Sequence, residues 1–266
     1  MTEWLNVTGY HGLNLRCLDT RGRERRSVLL LHGLLSNAGS WRREIRWLAD
    51  SMRVLALDQR GHGRSATPTD GDWSREAFVA DAAAAIEQAG AAPAVLIGHS
   101  MGAINAWCLA ASRPDLVSAL VVVDACPVAP RTQQEWTLWT RTWPSSFDSS
   151  EAVRRFFAAE NGDYFAGCVE KFGSRYRLRV PAEQALAIRA EWDERDHWAE
   201  FEAVRCPTLI VGGGQSMAPE VGAEMCARQP RAAYVEIPQA GHVVHFDAPD
   251  QFRAVVEPFV ERIDGL

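Results

Sequence analysis

Gly98-His99-Ser100-Met101-Gly102 places a serine at the centre of a Gly-X-Ser-X-Gly pentapeptide, where a hydroxyl can attack a carbonyl carbon. The β-favouring run Val95-Leu96-Ile97 precedes it, and an alanine-rich segment of helical character follows. A strand that turns sharply into a helix strains the backbone of its central residue. It also holds that side chain up at the strand's carboxyl end, above the helix amino terminus. Gly98 and Gly102 leave room for the close approach such a turn demands. A serine hydroxyl is a weak nucleophile at neutral pH. It needs a base to take its proton, and the base needs a group that fixes its tautomer and balances its positive charge. The rest of the chain must supply both.

Short apolar runs recur at Ser27–His32, Val54–Asp58, Val117–Val123, Cys206–Gly212 and Ala233–Ile237, the pattern of strands buried on both faces of a parallel sheet. Helical spacing fills the intervals: 41–51, 74–88 with Ser74 as amino-terminal cap, the segment from Ser100 to Ser112, 219–229 and 249–263. Trp4–Asp19, interrupted by Gly9 and Gly12, reads as a hairpin at a sheet edge. The alternation predicts an α/β fold, a mainly parallel twisted sheet flanked by helices. Ligands of such sheets bind beyond the carboxyl ends of the strands. Residues 127–204 break the rhythm: they hold no continuous apolar β run and are dense in aromatics, Trp136, Trp139 and Trp143 among them. They read as several helices inserted into a core made of residues 1–126 and 205–266.

The 266 residues, 47% hydrophobic and 23% charged, suit a globular chain with a large core. A net charge of −6 advertises neither nucleic-acid nor anionic-membrane binding. The arginines are scattered, and Lys171 is the sole lysine. Six widely spaced cysteines form no Cys-X-X-Cys pair and no Cys/His cluster with metal-ligand spacing, so they read as small buried side chains in a reducing compartment. No metal or other cofactor is expected. The amino terminus lacks a basic region followed by an apolar run, and no stretch approaches a membrane span. The expectation is a cytoplasmic monomer or homodimer acting on a small molecule.

Four motifs in order resemble the α/β-hydrolase family over nearly the whole chain: His32-Gly33 after an apolar strand, Asp58-Gln59-Arg60-Gly61-His62-Gly63-Arg64-Ser65, the Ser100 pentapeptide, and Gly241-His242 before the last helix. The resemblance implies an α/β-hydrolase fold with a helical cap at 127–204. It also implies a chain order of nucleophile, acid and histidine. Ser100 is then the nucleophile and His242 the general base. Many members place an Asp in the loop that here reads Gly212-Gly213-Gly214-Gln215-Ser216, and this chain holds Ser216 where that Asp is expected. Some members take the acid from the preceding strand end, which selects Asp124, with Glu220 and Asp196 in reserve. The backbone N–H groups of Leu34 and Met101 are the oxyanion donors the family implies.

The side chains of Leu34, Leu35 and Met101 are expected to line an acyl pocket. Trp136, Trp139 and Trp143 either pack the cap onto the body or face the cavity and bind an apolar substrate. Among Arg131, Arg141, Arg154, Arg155, Arg175, Arg177 and Arg179, mostly surface residues, one could clamp a substrate carboxylate. The expected activity is hydrolysis of a carboxylic ester or lactone through an acyl-enzyme. The alternatives are an amide or C–C bond hydrolase, a thioesterase, an acyltransferase, or a ligand-binding, receptor-like member with vestigial catalysis.

Overall fold

The computed structural model describes residues 2–22, 26–129, 131–193 and 195–263. In chain order they form β1 (Glu3–Thr8), β2 (Asn14–Asp19), β3 (Ser27–Leu31), α1 (Arg42–Leu48), β4 (Arg53–Asp58), α2 (Arg75–Ala89), β5 (Ala94–His99), α3 (Met101–Ser112) and β6 (Val117–Val123). Helices α4 (Gln133–Thr140), α5 (Ser150–Phe156) and α6 (Gly162–Ala166) follow, then β7 (Glu170–Phe172), β8 (Arg175–Arg177), α7 (Ala182–Asp193) and α8 (Trp198–Ala203). The chain closes with β9 (Thr208–Gly213), α9 (Pro219–Arg228), β10 (Ala232–Ile237), α10 (Val244–Asp247) and α11 (Pro249–Arg262).

Eight strands form one sheet in the order β1-β2-β4-β3-β5-β6-β9-β10. Only the β1–β2 and β2–β4 pairs are antiparallel, so the edge hairpin and the parallel remainder are as the sequence predicts. Alternate residues serve opposite faces. Leu29 and Leu31 of β3 pack toward α2 and α3, whereas Val28 and Leu30 pack toward α1 and α11. Each such fully buried side chain contributes about 1.5–3 kcal/mol relative to exposure.

Helix α2 begins where Ser74 accepts from the Ala77 N–H and ends at Gly90 in the left-handed region. Strand order reverses at β3, flanked by β4 on one side and β5 on the other. The crevice at such a reversal is where ligands sit in these sheets. It is bordered here by the loop after β3 and by the turn at Ser100.

Residues 127–204 fall between β6 and β9, and they are not wholly helical. Glu170–Phe172 and Arg175–Arg177 pair as a two-stranded antiparallel ribbon that the sequence reading missed. Three residues per strand are too few for an alternation to register. Polar contacts fasten this insertion to the body. Arg179 donates to the carbonyls of Gly63 (3.2 Å) and Ser65 (3.1 Å). Tyr164 donates to Ser36 Oγ at 2.7 Å, and Asn161 bonds Asp247. Among the described residues no helix is long and apolar enough to cross a membrane.

Gly102, in the first turn of α3, faces the end of β3. A Cβ built there would stand 2.6 Å from the His32 carbonyl oxygen and would also collide with the Leu31 main chain. Alanine normally stabilises a helix relative to glycine by up to about 1 kcal/mol. Gly102→Ala is expected to do the opposite, costing about 1–3 kcal/mol because backbone cannot rotate away. A lower denaturant midpoint at unchanged slope would show it; an unchanged or raised midpoint would refute the close approach.

Candidate active site

Ser100 has φ 53° and ψ −120°, a conformation rarely adopted by a residue with a side chain. It is pinned on both sides. Its N–H donates to the Val123 carbonyl of β6 at 3.0 Å, and its own carbonyl accepts from Ala103 and Ile104 in the first turn of α3. Asp124 repeats the arrangement one strand further on. Its φ is 48°, and its N–H donates to the Val211 carbonyl of β9 at 2.9 Å. Each residue stands one step beyond a strand, lifted above the sheet but tied to the neighbouring strand.

His242 lies on the loop after β10. Its Nδ1 is 2.6 Å from Asp124 Oδ2, and its Nε2 is 3.1 Å from Ser100 Oγ. A carboxylate only accepts, so Nδ1 carries the proton and Nε2 turns a lone pair to the serine hydroxyl. Asp124 is nearly buried, while half of the His242 side chain is exposed. The second carboxylate oxygen, Oδ1, accepts from the Gly213 N–H at 2.8 Å, and Ser216 Oγ donates to Oδ2. Ser216, read from sequence as the place where an acid is missing, is a hydrogen-bond donor to the acid from the adjacent strand. Glu220, in α9, and Asp196 are exposed.

The backbone of His242 is held as well. His99 Nε2 donates to the His242 carbonyl at 2.8 Å, which fixes the tautomer of His99. His99 also contacts His242 and His245 through ring centroids 4.8 and 5.1 Å apart, and His245 stacks on Trp41 at 4.0 Å. The Gly241 N–H donates to Asp247 at 2.9 Å. Met101 N–H is the first of α3 and has no partner in the helical ladder. Leu34 precedes Leu35, whose φ of 66° is sustained by a 3.3 Å bond from its N–H to His62 Nε2. His62 Nδ1 in turn donates to the Arg60 carbonyl at 2.8 Å.

Ser100, Asp124 and His242 border a cavity of about 1040 Å³, walled by both the body and the insertion. Leu34 and Leu35 line it, as do Trp136 and Trp139. Two expectations need correction. Met101 is fully buried and presents no side chain to the cavity; the first turn of α3 points it into the core. Trp143 also stays behind the wall, packed edge-on against Trp139 at 5.0 Å and near Phe157. The helix after 133 ends at Thr140, so Trp143 leaves the stripe that carries Trp136 and Trp139.

Of the arginines considered, Arg131 reaches the cavity, joined by Arg189, Trp192 and His197, which the sequence reading left out. The signal for Arg189 is weak in sequence. Its guanidinium lies over Trp136 and Trp192, at 5.8 and 5.0 Å from the ring centroids, and those partners are far apart along the chain. Cys108, His197 and Glu200 bring one ligand atom each within 4.8 Å of one another. Burial pushes the His197 pKa down to about 4, and the charges of Arg75 and Arg195 add to that against the opposing carboxylates of Glu200 and Asp196.

Residues 28–255 match the model of the alpha/beta hydrolase family, and the chain belongs to that family. It is 29% identical over 256 residues to the sn-1-specific diacylglycerol lipase ABHD11 of Mus musculus, covering 88% of this chain and 80% of the relative. To the 2-(acetamidomethylene)succinate hydrolase of Mesorhizobium japonicum it is 29% identical over 245 residues, with 88% and 87% covered. A crystal structure of E-2-(acetamidomethylene)succinate hydrolase superposes with a TM-score of 0.82 at 25% identity, over 98% of this chain and 100% of the other.

Four histidines around the site are buried and neutral. Burial pushes His62 down to about 4 and His245 to about 3, against an ordinary value near 6.5, and lowers His32 and His99 further than charge neighbours alone would. A histidine whose pKa is depressed on folding contributes stability above the unfolded value. That stability is lost as pH falls from about 6.5 toward the folded value. His62 alone accounts for about 3 kcal/mol across pH 6.5 to 4. His62→Gln should therefore show a shallower loss of urea-unfolding free energy over that range than the parent; parallel curves would refute a neutral His62.

Proposed function

We propose that this hydrolase cleaves carboxylic esters or lactones through an acyl-enzyme, with Ser100 as nucleophile, His242 as general base and Asp124 as the acid that orients it. The observation carrying this reading is the continuous contact from Asp124 Oδ2 through both nitrogens of His242 to Ser100 Oγ, at 2.6 and 3.1 Å. Ser100 Oγ attacks the substrate carbonyl as its proton passes to His242 Nε2. The tetrahedral oxyanion accepts from the N–H groups of Leu34 and Met101, each donor worth about 3 kcal/mol to the transition state. The imidazolium, stabilised by Asp124, protonates the departing alkoxide. Water then attacks the acyl carbon with His242 again as base, releasing the acid and restoring the Ser100 hydroxyl.

The insertion at 127–204 serves as a cap in this reading. Its tryptophans give the cavity an apolar wall for the acyl or alcohol part, and Leu35 contributes from the body. The contact between Asp124 and His242 favours a working site over a vestigial one. An amide is the second candidate bond, favoured by the similarity to a hydrolase named for 2-(acetamidomethylene)succinate.

Ser100→Ala is expected to abolish turnover of short p-nitrophenyl esters. Asp124→Asn should lower kcat by about 10⁴, because the neutral amide supports the wrong tautomer of His242. Glu220→Gln should leave kcat unchanged. Steady-state kinetics on an ester, lactone and amide panel checks all three. Undiminished turnover in Ser100→Ala would sink the nucleophile, and loss on Glu220→Gln with none on Asp124→Asn would move the acid.

A further inference from the structure

Beneath the loop that carries Leu34 runs a file of three buried polar side chains from three separate elements, ending on the main-chain carbonyl of His32. Gln59 Nε2 donates to the His32 carbonyl at 2.6 Å. Asn105 Nδ2 donates to Gln59 Oε1 at 2.6 Å. Arg75 Nη1 donates to Asn105 Oδ1. His32, Gln59, Arg75 and Asn105 are at most 3% exposed. Asn105 is the single amide in an otherwise apolar stretch of α3, Met101-Gly102-Ala103-Ile104-Asn105-Ala106-Trp107. The His32 ring is gripped from the same place: its Nε2 accepts from the Gln59 N–H at 3.1 Å, and its Nδ1 donates to the Gly33 carbonyl at 2.8 Å.

We propose that Arg75, Asn105 and Gln59 form a one-way amide relay that positions the oxyanion loop, with Arg75 setting its direction. This rests on the serine-hydrolase reading above. An amide can turn end for end, so a pair of amides has two hydrogen-bonded states of opposite sense. A guanidinium only donates. With Arg75 at the outer end, Asn105 must offer Oδ1 to it and Nδ2 inward. Gln59 must then accept from Asn105 and donate to His32. The opposite sense would set Gln59 Oε1 against the His32 carbonyl, two acceptors facing in a dry interior. The His32–Gly33 peptide is thus locked one peptide short of the Leu34 N–H. Arg75 keeps its proton at neutral pH although burial lowers its pKa to about 10. These three are positioning residues: none of them lines the cavity.

Asn105→Asp separates direction from packing. The side chain keeps its shape and its pairing with Arg75, but it presents an acceptor where Asn105 donates, so Gln59 must turn its oxygen to His32. Gln59→Met, which removes the last donor without adding charge, is the second variant should the first fail to fold. For either, kcat on a p-nitrophenyl ester should fall about tenfold, short of the 100-fold or more that follows outright loss of an oxyanion donor. KM should stay within twofold, and affinity for a phenylboronic acid, whose adduct places an oxygen at the oxyanion position, should fall in parallel with kcat. Amide hydrogen exchange across residues 33–36 should quicken. Wild-type kcat and exchange in a folded variant would overturn the relay, as would a rise in KM at unchanged kcat. If Ser100→Ala instead shows that no turnover depends on the serine, the exchange measurement alone decides: faster exchange upholds the positioning role and unchanged exchange ends it.

Discussion

The close approach of α3 to the end of β3 is the constraint on which the site depends. Ser100 occupies a backbone conformation that costs on the order of 1–3 kcal/mol, and the surrounding strands must over-determine it. They do so because β5 is central and paired on both sides, and because Gly98 and Gly102 allow helix and strand to touch at backbone distance. With the turn in place, Ser100 stands at the amino-terminal cap of α3 with its Oγ 3.1 Å from His242 Nε2. Any side chain at Gly102 would push the helix off the loop after β3, and both walls of the crevice would separate.

A second strained residue, Asp124, stands in the same relation to β6 as Ser100 does to β5. The parallel is mechanical. A residue just beyond a parallel strand, with its N–H on the neighbouring strand, has its side chain directed over the sheet edge. A carboxylate in that position reaches an imidazole on the β10 loop across β9. Ser216, on the loop after β9, adds a hydroxyl donor to the same carboxylate oxygen that His242 uses. The chemistry lost by having serine on that loop is a negative charge; what the serine supplies is an anchor for the charge next door.

The strands were legible because buried parallel strands are continuous apolar runs, and Ser100 stood out by the strand and helix that flank its pentapeptide; Asp124 and His242 were singled out through the family resemblance, and the fold brings their side chains beside Ser100. Less of the cavity could be read. Trp143 shares helical spacing with Trp136 and Trp139 in sequence, yet the helix stops at Thr140 and the ring turns behind the wall. The β7–β8 ribbon is too short to show a period. Gln59 sits in a motif of glycines and charges where an amide attracts no notice, and its partners Asn105 and Arg75 come from helices that only the tertiary fold brings together. Pattern reports what is periodic or local, and a relay assembled from β4's loop, α2 and α3 is neither.

The fastenings between insertion and body have a bearing on how molecules get in. Arg179 holds two main-chain carbonyls of the glycine-rich turn, Tyr164 holds Ser36, and Asn161 holds Asp247, three anchors on two loops and the short helix α10. A roof tethered at several corners rises only when the tethers break together. Opening the cavity from that side therefore costs several hydrogen bonds at once, each worth about 0.5–1.5 kcal/mol.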